Sequence, residues 1–179
     1  MNQAKQKAIA NELYQFMRDY ASMKIEEEDK REQSLLHQSS NMQAAFSFTS
    51  AALFMVAAIV TDHRGSLPLE YFLVVFSIIT ALLLISLFFT CLAQKREKFV
   101  SIPDIELFNQ TIEDNFESYL SETQRNKAIV DLLEKVQKDK KEKNDYRALC
   151  VIRSMRFFYS ALGCSIVSYL IGIIMLIAD

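Results

Sequence analysis

Three stretches of the chain lack any Asp, Glu, Lys or Arg: Gln33 to Thr61, Tyr71 to Gln94, and Phe157 to Ala178. A helix rises about 1.5 Å per residue, so about 20 apolar residues cross the hydrocarbon core of a bilayer. Each stretch is that long, and charge-free runs of this length seldom occur in water-soluble domains. They place spans at 44–61, 71–93 and 157–178. The middle span is apolar all round, and its few Ser and Thr hydroxyls can donate to the carbonyl one turn earlier. The first is the weakest, being rich in Ala, Ser and Thr around Phe46, Phe48, Leu53 and Phe54. With three Gly and two Pro in 179 residues, turn formers are too few for a sandwich, a barrel or a doubly wound α/β fold. The expectation is an all-α membrane protein with three transmembrane helices. It adds an N-terminal cytoplasmic helix over 1–43, an outer turn at 62–70, and a cytoplasmic helical hairpin over 94–156 between spans two and three.

Basic residues at the span ends set the orientation. Lys24, Lys30, Arg31, Lys95, Arg96, Lys98, Arg147, Arg153 and Arg156 flank one side, and Arg64 alone flanks the other. This puts the N-terminus and the long middle segment in the cytoplasm and the C-terminus outside. The polar first 43 residues do not read as a cleaved signal peptide.

In the N-terminal helix, Ile9, Leu13, Phe16, Met17 and Tyr20 share one face. That face reads as packing on the other cytoplasmic helices, with a membrane-surface or partner-docking role as the alternative. In the middle segment, Ser101-Ile102-Pro103-Asp104 has the chemistry of a helix start. Ile105, Phe108, Ile112, Phe116 and Leu120 then mark an apolar stripe. Ser121-Glu122-Thr123-Gln124 has the capping-box form, and a second helix follows with Ile129, Leu132, Leu133 and Val136 on its buried face. The first arm is acidic and the second basic. Lys138, Lys140, Lys141 and Lys143 read as a solvated helix face, or as a contact for a partner or signal; the interleaved Asp139 and Glu142 weaken a nucleotide or phospholipid role. Net charge is −2, so direct nucleic-acid binding is not expected.

No catalytic constellation, cofactor motif or metal-ligand spacing is present, so no enzyme activity is expected. His37 and His63 fall on opposite sides of the membrane, and Cys91, Cys150 and Cys164 are dispersed. No ionisable side chain lies deep in a span, which argues against a proton-coupled pump or charged transport site. The strongest pattern concerns packing: Ser160, Cys164, Ser168 and Gly172 recur every four residues in the third span. Small residues let helix backbones approach closely in lipid. They serve either packing on the first span, with its Ala44, Ala45, Ser47, Ala51, Ala52 and Ala58, or assembly of a homo-oligomer, for which a tetramer is a guess.

The layout of polar helix, two-span hairpin, charged helical segment and return to the membrane resembles the SLATT-type effectors of bacterial conflict systems. The stretch from Gln124-Arg125-Asn126-Lys127 to Lys143-Asn144-Asp145-Tyr146-Arg147, running into the last span, is the most similar part. The resemblance covers most of the chain and rests on architecture and charge layout; the third span departs from the usual two. It implies an effector of a bacterial inner membrane that oligomerises and compromises the membrane when a soluble partner senses infection. The alternative is a non-catalytic membrane anchor that recruits a soluble defence or signalling partner.

Overall fold

The computed structural model describes residues 3–63, 68–95 and 121–178. These form three helices: α1 (Gln3–His63), α2 (Leu69–Gln94) and α3 (Glu122–Ala178). All three are long and apolar enough to cross a membrane, and no strand occurs among the described residues. The first arm of the expected hairpin, with Ile105, Phe108, Ile112, Phe116 and Leu120, lies outside the described residues, as do Arg64 to Leu67 of the outer turn.

Local chemistry explains where the helices begin and why they run so far. Pro68, at φ −66°, precedes α2, and its carbonyl accepts the Tyr71 N–H at 3.2 Å. The Ser121 carbonyl accepts the N–H groups of Gln124 and Arg125, both at 3.1 Å, so α3 starts at the capping-box sequence. Neither Gly nor Pro occurs between residues 3 and 63, and α3 contains only Gly163 and Gly172. With no breaker to stop them, α1 passes through the 43/44 boundary, and α3 joins the second arm to the third block without interruption.

The described residues fall into two units. One contains α1 up to Gln33 and α3 up to Asp145; the other contains Ser34–Lys95 and α3 from Tyr146 onward. In the second unit, covered positions recur alternately three and four residues apart on every helix. They are Leu35, Ser39, Met42, Phe46, Thr49 and Leu53 on α1, and Phe72, Phe76, Ile79, Leu83, Ser86, Thr90 and Ala93 on α2. On α3 they are Arg147, Val151, Ser154, Phe158, Ala161, Ser165 and Ser168. A repeat of 3.5 residues is the seam of left-handed supercoiled helices. Ile79, Leu83, Phe158 and Ala161 form one buried cluster, joined by Met42, Phe46 and Leu53; Ala93, Cys150 and Val151 form another.

The first unit has the same spacing but a polar seam: Asn11, Tyr14, Arg18, Ala21, Ile25, Glu28 and Glu32 on α1, against Asn126, Val130, Leu133, Gln137, Lys140 and Asn144 on α3. Val136 is buried as its spacing suggests, whereas Ile129, Leu132 and Leu133 are half-buried. The apolar face of α1 departs from expectation. Ile9, Leu13, Phe16, Met17 and Tyr20 are exposed, Phe16 at 67%. At 3.6 residues per turn that face lies about 140° round the helix from the seam.

Candidate functional site

Four hydroxyls meet inside the second unit. Ser39, Ser86, Thr90 and Ser154 are each at most 2% exposed. Ser86 Oγ donates to the Ser154 carbonyl and Ser154 Oγ to the Ser86 carbonyl, both at 2.9 Å, so the two backbones are tied reciprocally. Thr90 Oγ1 lies 2.6 Å from Ser154 Oγ and 3.0 Å from the Ser86 carbonyl. Ser39 Oγ donates to the Thr90 carbonyl at 3.0 Å, bringing in α1. Every hydroxyl therefore has an acceptor, as an apolar interior requires. Toward the charged ends, Gln94 Nε2 donates to Gln43 Oε1 at 3.2 Å, and buried Arg147 donates to the Lys95 carbonyl at 3.4 Å. The Arg153 guanidinium lies 5.8 Å from the Phe89 ring centre, and Phe89 stacks on Phe157 at 5.8 Å. At the other end, the Tyr71 hydroxyl donates to the Ser168 carbonyl at 2.9 Å.

The four small residues singled out in the third span have different surroundings. Ser160 is exposed, Cys164 packs beside the Ile79–Leu83–Phe158–Ala161 cluster, and Ser168 is half-buried at the Tyr71 contact. A Cβ added at Gly172 would meet nothing within 4 Å, and the same holds at Gly163. The contact between α2 and α3 uses Ser154, Phe158 and Ala161 instead. Ser39, Ser86, Thr90 and Ser154 were not singled out from the sequence. The Ser86–Thr90 spacing of four in an otherwise apolar block, with Ser154 amid Arg residues, was the available signal.

In the first unit, α1 and α3 are joined mainly by charge and amide groups. Asn11 Nδ2 donates to Glu122 at 2.9 Å and Thr123 Oγ1 to Asn11 Oδ1 at 2.6 Å. Arg31 pairs with Asp145 at 2.7 Å, and Lys140 pairs with Asp29. Asn144, fully buried, donates to both the carbonyl and the carboxylate of Glu28 at 2.9 Å, while its Oδ1 has no partner. The hydrogen bond that the Arg31 guanidinium donates to Asp145 holds its pKa above the usual value. Of the four lysines read as a contact surface, Lys138 and Lys141 are exposed, whereas Lys140 and Lys143 sit in ion pairs, the latter with Asp139 at 2.7 Å. Lys141 also borders a groove of about 490 Å³ whose walls include Phe16, Met17, Tyr20, Val130 and Glu134.

Among the described residues, no three His, Cys, Asp or Glu side chains group as a metal site would require. Cys91 is exposed, Cys150 buried and Cys164 half-buried, all as free thiols. What the arrangement can do chemically is hold helices in register. No protein-family model matches the chain, and no curated protein or solved structure matches it either.

Proposed function

We propose that this chain is a non-catalytic effector of a bacterial inner membrane, acting in anti-phage defence. Its N-terminal helix and the basic stretch of α3 face the cytoplasm and receive a signal from a soluble partner. Its spans then self-associate and perturb the membrane. The observation that supports self-association is the open space beside Gly163 and Gly172, together with the exposure of Ser160. The subunit's own helix contacts leave these small residues unused, and small residues on a lipid-facing helix permit close approach of another helix.

Gly172→Leu separates assembly from folding. With nothing within 4 Å of its Cβ, the substitution should leave the subunit's own unfolding unchanged. It should reduce oligomer size in detergent, read by native mass measurement, and abolish toxicity on overexpression. A monomer at rest and on triggering would overturn the effector reading. The second reading, a membrane anchor for a soluble partner, is favoured by the exposed Ile9, Leu13, Phe16, Met17 and Tyr20 face. It expects Leu13→Asp and Phe16→Asp to abolish partner binding while Gly172→Leu has no effect on toxicity.

A further inference from the structure

The charge-free blocks of α2 and α3 are out of step. Arg147 of α3 lies beside Lys95, where the charge-free block of α2 ends, yet the block of α3 begins ten residues later at Phe157. At the far end, Tyr71 opens the block of α2 opposite Ser168, and α3 continues ten residues beyond, to Ala178. The intervening contact, Ser86 with Ser154, keeps the same register. Ten residues of helix are about 15 Å. The block of α1 follows α2, since Ser39 reaches the Thr90 carbonyl and Gln43 meets Gln94.

The blocks hold 24 residues in α2 and 22 in α3, about 36 and 33 Å, so each alone fills a hydrocarbon core of about 30 Å. No flat slab contains both. Centring it on α1 and α2 leaves Leu170 to Ile177 in water and draws Arg153 and Arg156 below the surface. Centring it on α3 exposes about ten residues at the charged end of the α2 block. A common tilt of about 20° shortens the offset only to about 14 Å.

We propose that the subunit resolves this conflict by deforming the bilayer. Acyl chains rise to cover α3 beyond Ser168, and the opposite surface dips toward Arg153 and Arg156. Acyl chains are the fitting cover because this part of α3 is bare on every side: Tyr169, Leu170, Ile171, Ile173, Ile174 and Ile177 are all exposed, Ile177 at 80%. A helix that is apolar all round suits lipid, whereas a protein partner covers a stripe. At the dipped surface both arginines are exposed, and Arg153 lies against Phe89, an arrangement that suits a cation reaching for headgroups. This deepens the proposed function, and rests on its membrane-spanning part, by supplying the means of perturbation.

Nitroxide depth measurements on the full chain in dioleoyl phosphatidylcholine vesicles test it. One label sits on the native, exposed Cys91 and another on Ile174→Cys, each with the remaining cysteines replaced by Ala. The two sites lie about 36 Å apart along the helices. Both should be accessible to oxygen and shielded from a water-soluble nickel chelate. A nickel-accessible label at either site means a flat bilayer matched to one helix, and overturns the proposal. Spin–spin broadening under dilution in lipid that is as strong at position 174 as at a label on Gly172→Cys means that other copies, and not acyl chains, surround this segment, and overturns it equally. Two deep labels without release of an entrapped dye would instead overturn the effector reading and leave the deformation standing.

Discussion

Ser154 is the position at which the helix-packing account can be tested most sharply. It is fully buried, and its Oγ reaches the Ser86 carbonyl at 2.9 Å, Ser86 Oγ at 3.0 Å and Thr90 Oγ1 at 2.6 Å. Ser154→Ala leaves no hydroxyl stranded, because Thr90 keeps the Ser86 carbonyl and Ser86 keeps the Ser154 carbonyl. The loss is one interhelical donor, worth about 0.6 kcal/mol on average inside membranes and about 1.7 at most. That is a change of about 3- to 20-fold in the unfolding constant. Ser154→Leu adds bulk where α2 and α3 meet and costs a further 1–3 kcal/mol or so. Ser160→Leu, on the exposed side, should stay within about 0.5 kcal/mol of wild type. The assay is unfolding of the purified chain in dodecyl maltoside by added dodecyl sulfate, followed by far-ultraviolet circular dichroism, with Ser86→Ala completing a double-mutant cycle. If Ser154→Leu unfolds no more readily than Ser160→Leu, the hydroxyl cluster does not hold these helices together and the reasoning fails.

Three further outcomes concern the first unit. Asn144→Ala removes both donors from Glu28, whose side chain is only 14% exposed, and should destabilise the α1–α3 pair by about 1–3 kcal/mol, read as faster amide exchange across 122–145. Asn126→Leu should slow exchange there by the equivalent of about 1 kcal/mol, because Asn126 Nδ2 is buried without an acceptor. Hydrogen bonds donated to the carboxylates of Glu27 and Glu26 raise the pKa values of Lys24 and Lys30 above the ordinary 10.5. Their raised values favour the folded state fully below that pH, and the contribution disappears as pH rises through the folded values. Exchange corrected for intrinsic rates should therefore be flat from pH 7 to 9 and quicken only above the ordinary lysine value of 10.5.

Three helices long and apolar enough to cross a membrane were legible in the sequence because a charge-free run is the one pattern hydrocarbon demands. Which side of each span packs was not, since α2 is apolar on every face and offers no contrast between lipid and protein. The small-residue stripe misled for a geometric reason. Four residues advance a helix by about 400°, so each step from Ser160 to Cys164, Ser168 and Gly172 turns about 40° further round. The packed seam instead alternates steps of three and four; Ser168 falls on it, Cys164 beside it, and Ser160 stays exposed. The polar seam of the first unit was hidden too. Glu28, Lys140 and Asn144 look like solvent-facing residues until their partners Asp29 and Glu28 are placed opposite.

That polar seam bears on how a signal could be received. Each neutral hydrogen bond across it replaces one with water and nets about 0.5–1.5 kcal/mol, and an ion pair as exposed as Arg31–Asp145 nets about 0–1. Fully burying one large apolar side chain is worth about 1.5–3 kcal/mol. Ile9, Leu13, Phe16, Met17 and Tyr20 are all at least 41% exposed, so most of that stabilisation is still unrealised in the subunit. On α1 a seam of individually weak polar contacts thus adjoins an apolar face that stays largely uncovered, and Phe16, Met17 and Tyr20 of that face wall a groove with Val130 and Glu134 of α3. The second unit has the opposite arrangement: its four central hydroxyls are all paired and buried, which suits it to holding three helices in one register.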